Sequence, residues 1–386
     1  MAPVPPDLHA VRGELPCLSE EVYLNTGGAG PLPAKVAAAI GRAMAGSLAR
    51  GRMGVPAIAE ADGLMLALRA EVGRLLGVDG EEIALTANTT VGLDVVIWGI
   101  DWQPGDEAIT TGLEHPGLTV PLRVATRRAG AVVRIIPPDE ARDDLEAAVG
   151  RRAGPRTRLV ALSHVAYGTG ALLDVEGAAR AARAAGALSA VDGAQSVGAI
   201  PVAPAPLGVD AYALPAHKWL LGPEGLGALW VRPAAMERID LSFAGYDSGR
   251  EHRPDGALTI HAGARRYETS TAPALLAPGW LEALRWLESL GWSWIHERIR
   301  EAQASARRRL AALPGVSVLT PPGPQAGLVT FTAAGAEPEA AVRALAERRV
   351  MLRWTTAPPA LRASLGFFND DGDVERLAAE VASLGG

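Results

Sequence analysis

The chain has 386 residues, 48% of them hydrophobic, and a formal net charge of -6. That composition buries a large core, and the length fits roughly two or three domain-sized units. The acidic balance offers no basic surface to a nucleic-acid backbone, no apolar run reaches the length of a membrane span, and Met1–Pro6 lacks a basic region followed by an apolar one, so a soluble cytoplasmic protein is expected. A single cysteine, Cys17, excludes an intrachain disulfide and a cysteine-based metal cage, and the seven scattered histidines show no zinc-helix spacing, so no metal is expected.

The first strongly patterned region runs from Glu81 to Val231. Short β-rich apolar runs lie at Ile83–Leu85, Glu107–Thr110, Val132–Ile136, Arg158–Ser163, Leu188–Val191, Asp210–Leu214 and Gly227–Val231, and amphipathic segments such as Val91–Ile100, Gly117–Arg128 and Val175–Ala185 lie between them. This alternation predicts an α/β fold with a large, doubly wound, mostly parallel sheet, whose ligands sit beyond the strand carboxyl ends. After about residue 260 the pattern becomes a long helical stretch, Gly279–Leu313, then strands at Val316–Leu319 and Gly327–Thr332. A helix at Glu337–Arg349, strands at Val350–Trp354 and Leu361–Phe367 and a last helix complete a smaller α+β unit. The expected division is an N-terminal segment 1–22 packing on the small unit, a large domain 23–260 and a small domain 261–386.

Chemistry concentrates at the predicted strand ends. Lys218 is one of two lysines in a chain with 35 arginines, and it stands between an apolar run and the glycine-rich Leu221–Gly227. An amine that must lose its proton cannot be replaced by a guanidinium, so a functional amine is the reading for Lys218, whereas Lys35, on a polar-faced segment, is a surface residue. Asp192 and Gln195 follow the strand Leu188–Val191, where a buried carboxylate needs a cation: a protonated pyridine ring or a structural arginine. Asn88-Thr89-Thr90 opens a helix, where free N–H groups and hydroxyls suit a phosphate and equally suit ordinary capping. His115 ends another strand and offers a flat ring, or a structural hydrogen bond. A phosphate cradle, a flat aromatic, an aspartate for a ring nitrogen and a lone lysine together describe a pyridoxal phosphate site.

The order of motifs from Tyr23-Leu24-Asn25-Thr26-Gly27-Gly28 through Asn88-Thr89-Thr90, Glu114-His115-Pro116-Gly117, Asp192-Gly193-Ala194-Gln195-Ser196 and His217-Lys218-Trp219 to Arg266–Thr271 resembles the class V aminotransferases of pyridoxal phosphate fold type I over essentially the whole chain. Val96–Trp102, Thr157–Val160 and Pro324–Val329 are similar to cysteine and cystine carbon–sulfur lyases within that superfamily. The resemblance implies that Lys218 bonds the cofactor aldehyde, Asp192 pairs with the ring nitrogen, Gln195 contacts the phenolic oxygen and His115 stacks on the ring. It further implies that Thr89, Thr90 and His217 hold the phosphate, with Thr271 reaching it from the neighbouring subunit of a homodimer, and that Gly27, Arg353 and Arg362 meet an amino-acid substrate. Arg362 matches the carboxylate-gripping arginine and Arg353 a second arginine of the cystine lyases.

Two departures bear on the reaction. Pro215 stands where a phosphate-contacting hydroxyl is usual, and Trp354–Ala360 contains no cysteine where desulfurases carry their nucleophile. The expected reaction is therefore β-elimination on cystine, cysteine or a cysteine conjugate, giving pyruvate, ammonia and a thiol or persulfide. The alternatives are an isopenicillin N epimerase-like epimerase, a transaminase, a hercynylcysteine sulfoxide lyase-like enzyme, a cysteine desulfurase, or a binding module without catalysis.

Overall fold

In a computed structural model that describes residues 5–270, 272–323 and 326–385, the alternating segments close into one seven-stranded sheet. Its strands are β1 (Ile83–Thr86), β2 (Glu107–Thr111), β3 (Val132–Ile136), β4 (Thr157–Ser163), β5 (Leu188–Asp192), β6 (Ala211–Pro215) and β7 (Gly227–Val231). They lie in the order β1-β7-β6-β5-β4-β2-β3, with β7 antiparallel to both neighbours and every other pair parallel. Successive side chains enter opposite cores: Val160, Leu162, Val191, Tyr212 and Leu214 pack on one side, Leu159, Ala161, Ala190, Ala211 and Ala213 on the other. A parallel sheet covered on both faces needs apolar residues at both phases, which is why these strands read as continuous apolar runs.

Helices α1 (Ala34–Arg50), α2 (Val55–Leu76), α3 (Thr89–Trp98), α4 (Pro116–Ala129), α5 (Val175–Ala184) and α6 (Ala277–Leu290) surround this sheet. Leu93, Val96 and Ile97 of α3 and Leu118 and Leu122 of α4 pack on one face, while Leu68, Val72 and Leu76 of α2, Ala178 and Ala182 of α5 and Trp280, Leu284 and Leu287 of α6 pack on the other. The long helical stretch expected at Gly279–Leu313 is two helices, α6 and α7 (Trp292–Ala311), because Gly291 turns the chain at a φ of 88°.

A second sheet carries β8 (Val316–Val318), β9 (Leu328–Ala333), β10 (Arg353–Thr356) and β11 (Pro359–Ser364) in the antiparallel order β8-β9-β11-β10. Phe331, Leu361 and Leu345 form its core with Val374 and Leu377, under α8 (Pro338–Glu347) and α9 (Asp371–Ala382). Here the expected strand Val350–Trp354 divides, because Val350–Met351 pairs in parallel with Val22–Tyr23 while Arg353 onward joins the small sheet; the strand expected to reach Phe367 ends at Ser364. The N-terminal Arg12 donates to Asp373 of α9 at 2.8 Å. Among the described residues no helix is long and apolar enough to cross a membrane.

Candidate active site

The carboxyl ends of β2, β4, β5 and β6 open on one crevice, and each delivers a different polar group. Strand β5 ends on Asp192, 6% exposed, whose Oδ1 accepts the Ala194 N–H at 2.8 Å while burial pushes its proton affinity up and the charge of Lys218 pulls it down. Just past β6 stands Lys218, where burial lowers the ammonium pKa to about 8; Asp192 opposes that fall, and Arg362 and Arg353 add to it. A cation that is costly to bury and flanked by two guanidiniums releases its proton near neutrality, which is the property a nucleophilic amine needs.

Gln195 is held from both ends. Its Oε1 accepts the Trp219 indole N–H at 3.0 Å and its Nε2 donates to the Gly27 carbonyl at 2.8 Å, leaving one amide hydrogen for a ligand. Gly27 must lack a side chain, since a Cβ there would stand 2.8 Å from both Gln195 Oε1 and Ser364 Oγ. The Gly30 N–H donates to the His217 carbonyl at 2.7 Å, so the N-terminal strand end and the lysine turn are tied together.

Two helix N-termini meet beside these groups. Asn88 caps α3 by accepting the Val91 N–H at 3.0 Å, leaving the amides of Thr89 and Thr90 without an intrahelical acceptor. At the start of α4 the Nδ1 of His115 accepts the Gly117 N–H at 2.9 Å, and a Cβ on Gly117 would stand 2.6 Å from Thr90 Oγ1. Accepting through Nδ1 requires the neutral imidazole in its Nε2–H tautomer, and burial, helped by Lys218, Arg362 and Arg353, lowers the His115 pKa to about 4. The ring of Tyr167 meets His115 edge-on at 4.9 Å and holds it in place.

The small sheet supplies the opposite wall. Arg353 and Arg362 are register partners across the hairpin β10–β11. Arg362 is 2% exposed and donates to the Tyr167 carbonyl at 2.9 Å, while its Nε has no partner; burial and the neighbouring Arg353 lower its pKa to about 10. Among the described residues no carboxylate lies within ion-pair distance of either arginine. Like charges in register oppose each other unless an anion sits between them. His217 Nδ1, Thr26 Oγ1 and Ser364 Oγ are likewise buried without partners. Orphaned donors around an amine, a carboxylate and two open helix ends fit an anionic, flat-ringed cofactor with an anionic substrate beside it.

The structure thus brings Gly27, Thr89, Thr90, His115, Asp192, Gln195, His217, Lys218, Arg353 and Arg362 to one crevice. Thr271 lies outside the described residues. Tyr167 and Trp219, which orient His115, Arg362 and Gln195, carried no spacing that would single them out in the sequence. Between β10 and β11 the chain turns through Ala357–Pro358 alone, packed so closely that a Cβ on Gly168 would stand 2.5 Å from the Ala357 carbonyl. Cys17 lies in the short turn Pro16–Ser19, its thiol half-buried and its pKa raised by burial and then by Glu21.

A family model described as aminotransferase class-V matches residues 22–377. The chain is 33% identical over 77% of its length to a probable cysteine desulfurase of Pseudomonas aeruginosa, covering 76% of that protein. It is 30% identical over 98% of its length to the isopenicillin N epimerase of Streptomyces clavuligerus, covering 99% of it. Two solved structures of C-DES superpose at 32% identity. One, a lysine-to-alanine mutant with glycine covalently linked to its PLP cofactor, gives a TM-score of 0.93 with 98% of this chain and 100% of that one covered. The other, described as the cystine C-S lyase in complex with its product cysteine persulfide, gives 0.92 with 96% and 99% covered.

Proposed function

Because this chain belongs to the class-V aminotransferase family and is a pyridoxal phosphate-dependent enzyme of the cysteine desulfurase and carbon–sulfur lyase type, we propose that it performs β-elimination on cystine, releasing pyruvate, ammonia and cysteine persulfide. When bound, the cofactor supplies an aldehyde that condenses with amines and a ring that stores the electron pair left at the substrate α-carbon. Lys218 would hold the cofactor and, with substrate bound, would take the α-proton at Nζ, a role suited to an amine poised near neutrality. Asp192, itself buried, would keep the ring nitrogen protonated, and the neutral His115 would cover the ring without adding charge. Thr89, Thr90 and His217 receive the phosphate, Gln195 gives its remaining amide hydrogen to the phenolic oxygen, and Arg362 grips the substrate α-carboxylate.

The observation that carries the choice of cystine is the pair of arginines in register with no acidic partner among the described residues. Cystine has two carboxylates, one for each guanidinium. The two-residue turn between β10 and β11 supports elimination over desulfuration, since it holds neither a thiol nor the length to swing one to a substrate sulfur. The likeness to an epimerase supports a second reading, in which the α-proton returns from the other face and no bond to sulfur breaks. The reading also includes a cytoplasmic homodimer in which Thr271 completes the neighbouring site, supported by the exposed apolar residues Leu48, Met53 and Val55 on and between α1 and α2. Arg353→Ala tests the substrate assignment: KM for cystine should rise about tenfold or more over any rise for cysteine, the loss of one charged hydrogen bond of about 1.5–3 kcal/mol, and equal rises would remove the case for cystine.

A further inference from the structure

Directly behind His115 lies a carboxylate that the chemistry above does not use. Glu114 is 8% exposed, and its Oε2 accepts both the Ser163 N–H at 2.7 Å and the Ser163 hydroxyl, while its Oε1 accepts the Thr111 hydroxyl. These bonds fasten the loop that carries His115 to the ends of β2 and β4. Ser163 is the register partner of Asp192, so the two carboxylates stand on adjoining strand ends. A cavity of about 170 Å³ reaches Glu114 from the side of α4 and β3, lined also by Thr119, Arg123, Val133 and Ile135. Water therefore has a route to this buried acid through the cavity.

We propose that Glu114 is an ionisable positioning residue of the cofactor site, holding the His115 loop in place and sharing one negative charge with Asp192, so that a cation docking on Asp192 drives a proton off Glu114 into the cavity. This rests on the cofactor reading and is independent of the lyase reading. The groups around Glu114 set the direction. From β5, Asp192 disfavours a second negative charge; from β2 and β4, the Thr111 and Ser163 hydroxyls favour it; from α4, Arg123 lines the cavity; and His115, next along the loop, is held neutral. Burial outweighs the hydrogen bonds and pushes Glu114 up to about 7. A protonated ring nitrogen against Asp192 cancels the charge that opposes ionisation, so the proton, carried on Oε1 and then donated to the Thr111 hydroxyl, is held in the free protein and lost in the complex, where that hydroxyl donates instead. The reaction is a proton transfer from the Glu114 carboxyl to water, and no electrons move.

Binding is then tighter at higher pH and weakens as the pH falls through about 7. The probe is deoxypyridoxine phosphate, the analogue of the cofactor that lacks the aldehyde, so that Lys218 forms no bond and the readout is equilibrium affinity by tryptophan fluorescence rather than turnover. Between about pH 8 and about pH 6 the wild-type protein should lose more affinity than Glu114→Gln, by up to about tenfold, since that side chain keeps the shape without the proton. Parallel pH dependences in the two proteins overturn the proposal. Should Glu114→Gln fail to fold, Ser163→Ala and Thr111→Val remove donors to the ionised form and should each move the break in the profile to higher pH; an unmoved break also overturns it. If the analogue fails to bind the wild-type protein at any pH, the cofactor reading fails, and the two failures are distinguishable.

Discussion

At the residue scale the site is governed by what burial does to charge. Lys218 and His115 are both depressed by desolvation first, and the two arginines of the small sheet push in the same direction. An amine condenses with an aldehyde only in its neutral form, so if Lys218 bonds the cofactor as proposed, the rate at which the apoprotein takes up pyridoxal phosphate, followed by absorbance, should fall about tenfold per pH unit below about 8 and level off above it. A rate still climbing steeply well above that pH would mean that Lys218 keeps the ordinary lysine value. Most of this residue set was legible, because a lone lysine, a strand-end aspartate and a strand-end histidine are each uncommon in their local settings. The pairing of Arg353 with Arg362 was not, since register across a hairpin depends on where the turn falls, and the turn at Ala357–Pro358 is shorter than a count from Trp354 to Ala360 suggests.

At the scale of elements, the pocket proposed for the phosphate is the meeting point of α3 and α4, and its dimensions are set by one missing side chain. Gly117→Ala places a methyl 2.6 Å from Thr90 Oγ1, and the β-branched Thr90 has few rotamers with which to give way. Cofactor affinity should therefore drop by at least tenfold while the melting temperature of the apoprotein moves by only a few degrees, an outcome read by cofactor titration and calorimetry in parallel. Losses of equal size in affinity and stability would instead mean that the contact is a packing contact alone. The strands of the large sheet were legible to within a residue or two because each is a short β-rich run between glycine- or proline-bearing turns. Helix α2 was not, because Pro56, Gly63, Gly73 and a string of alanines blur its apolar face, and the break at Gly291 is carried by one positive φ inside an otherwise unbroken helical pattern.

Over the whole molecule, two units of different architecture each provide half of the polar groups of the crevice: the parallel sheet brings the amine, the carboxylate and two helix N-termini, and the antiparallel sheet brings both guanidiniums. Strand order lies beyond local pattern, so the placement of antiparallel β7 between β1 and β6 could not be read from alternation. The buried polar layer behind the site makes the fold sensitive to acid. His164, whose Nδ1 pairs with the Tyr212 hydroxyl at 2.7 Å, is lowered by burial to about 4, whereas in the unfolded chain it titrates near the ordinary histidine value. The unfolded state therefore binds more protons throughout the interval between those values, and stability falls as the pH drops into it. Between about pH 7.5 and about pH 5.5 this one group should cost about 1.4 kcal/mol, and His164→Gln should recover that loss in denaturant unfolding of the apoprotein. An unchanged pH dependence would show that His164 accepts its proton without disturbing the native state.

Product analysis of cystine turnover by the purified holoenzyme tests the assignment most directly. Elimination predicts one pyruvate and one ammonia for each cystine consumed, with cysteine persulfide as the sulfur product and no thiol of the protein modified. Alanine with a trisulfide joining Cys17 to the remaining half of cystine would make the enzyme a desulfurase, and recovery of inverted cystine without pyruvate would make it an epimerase; either result would contradict the account.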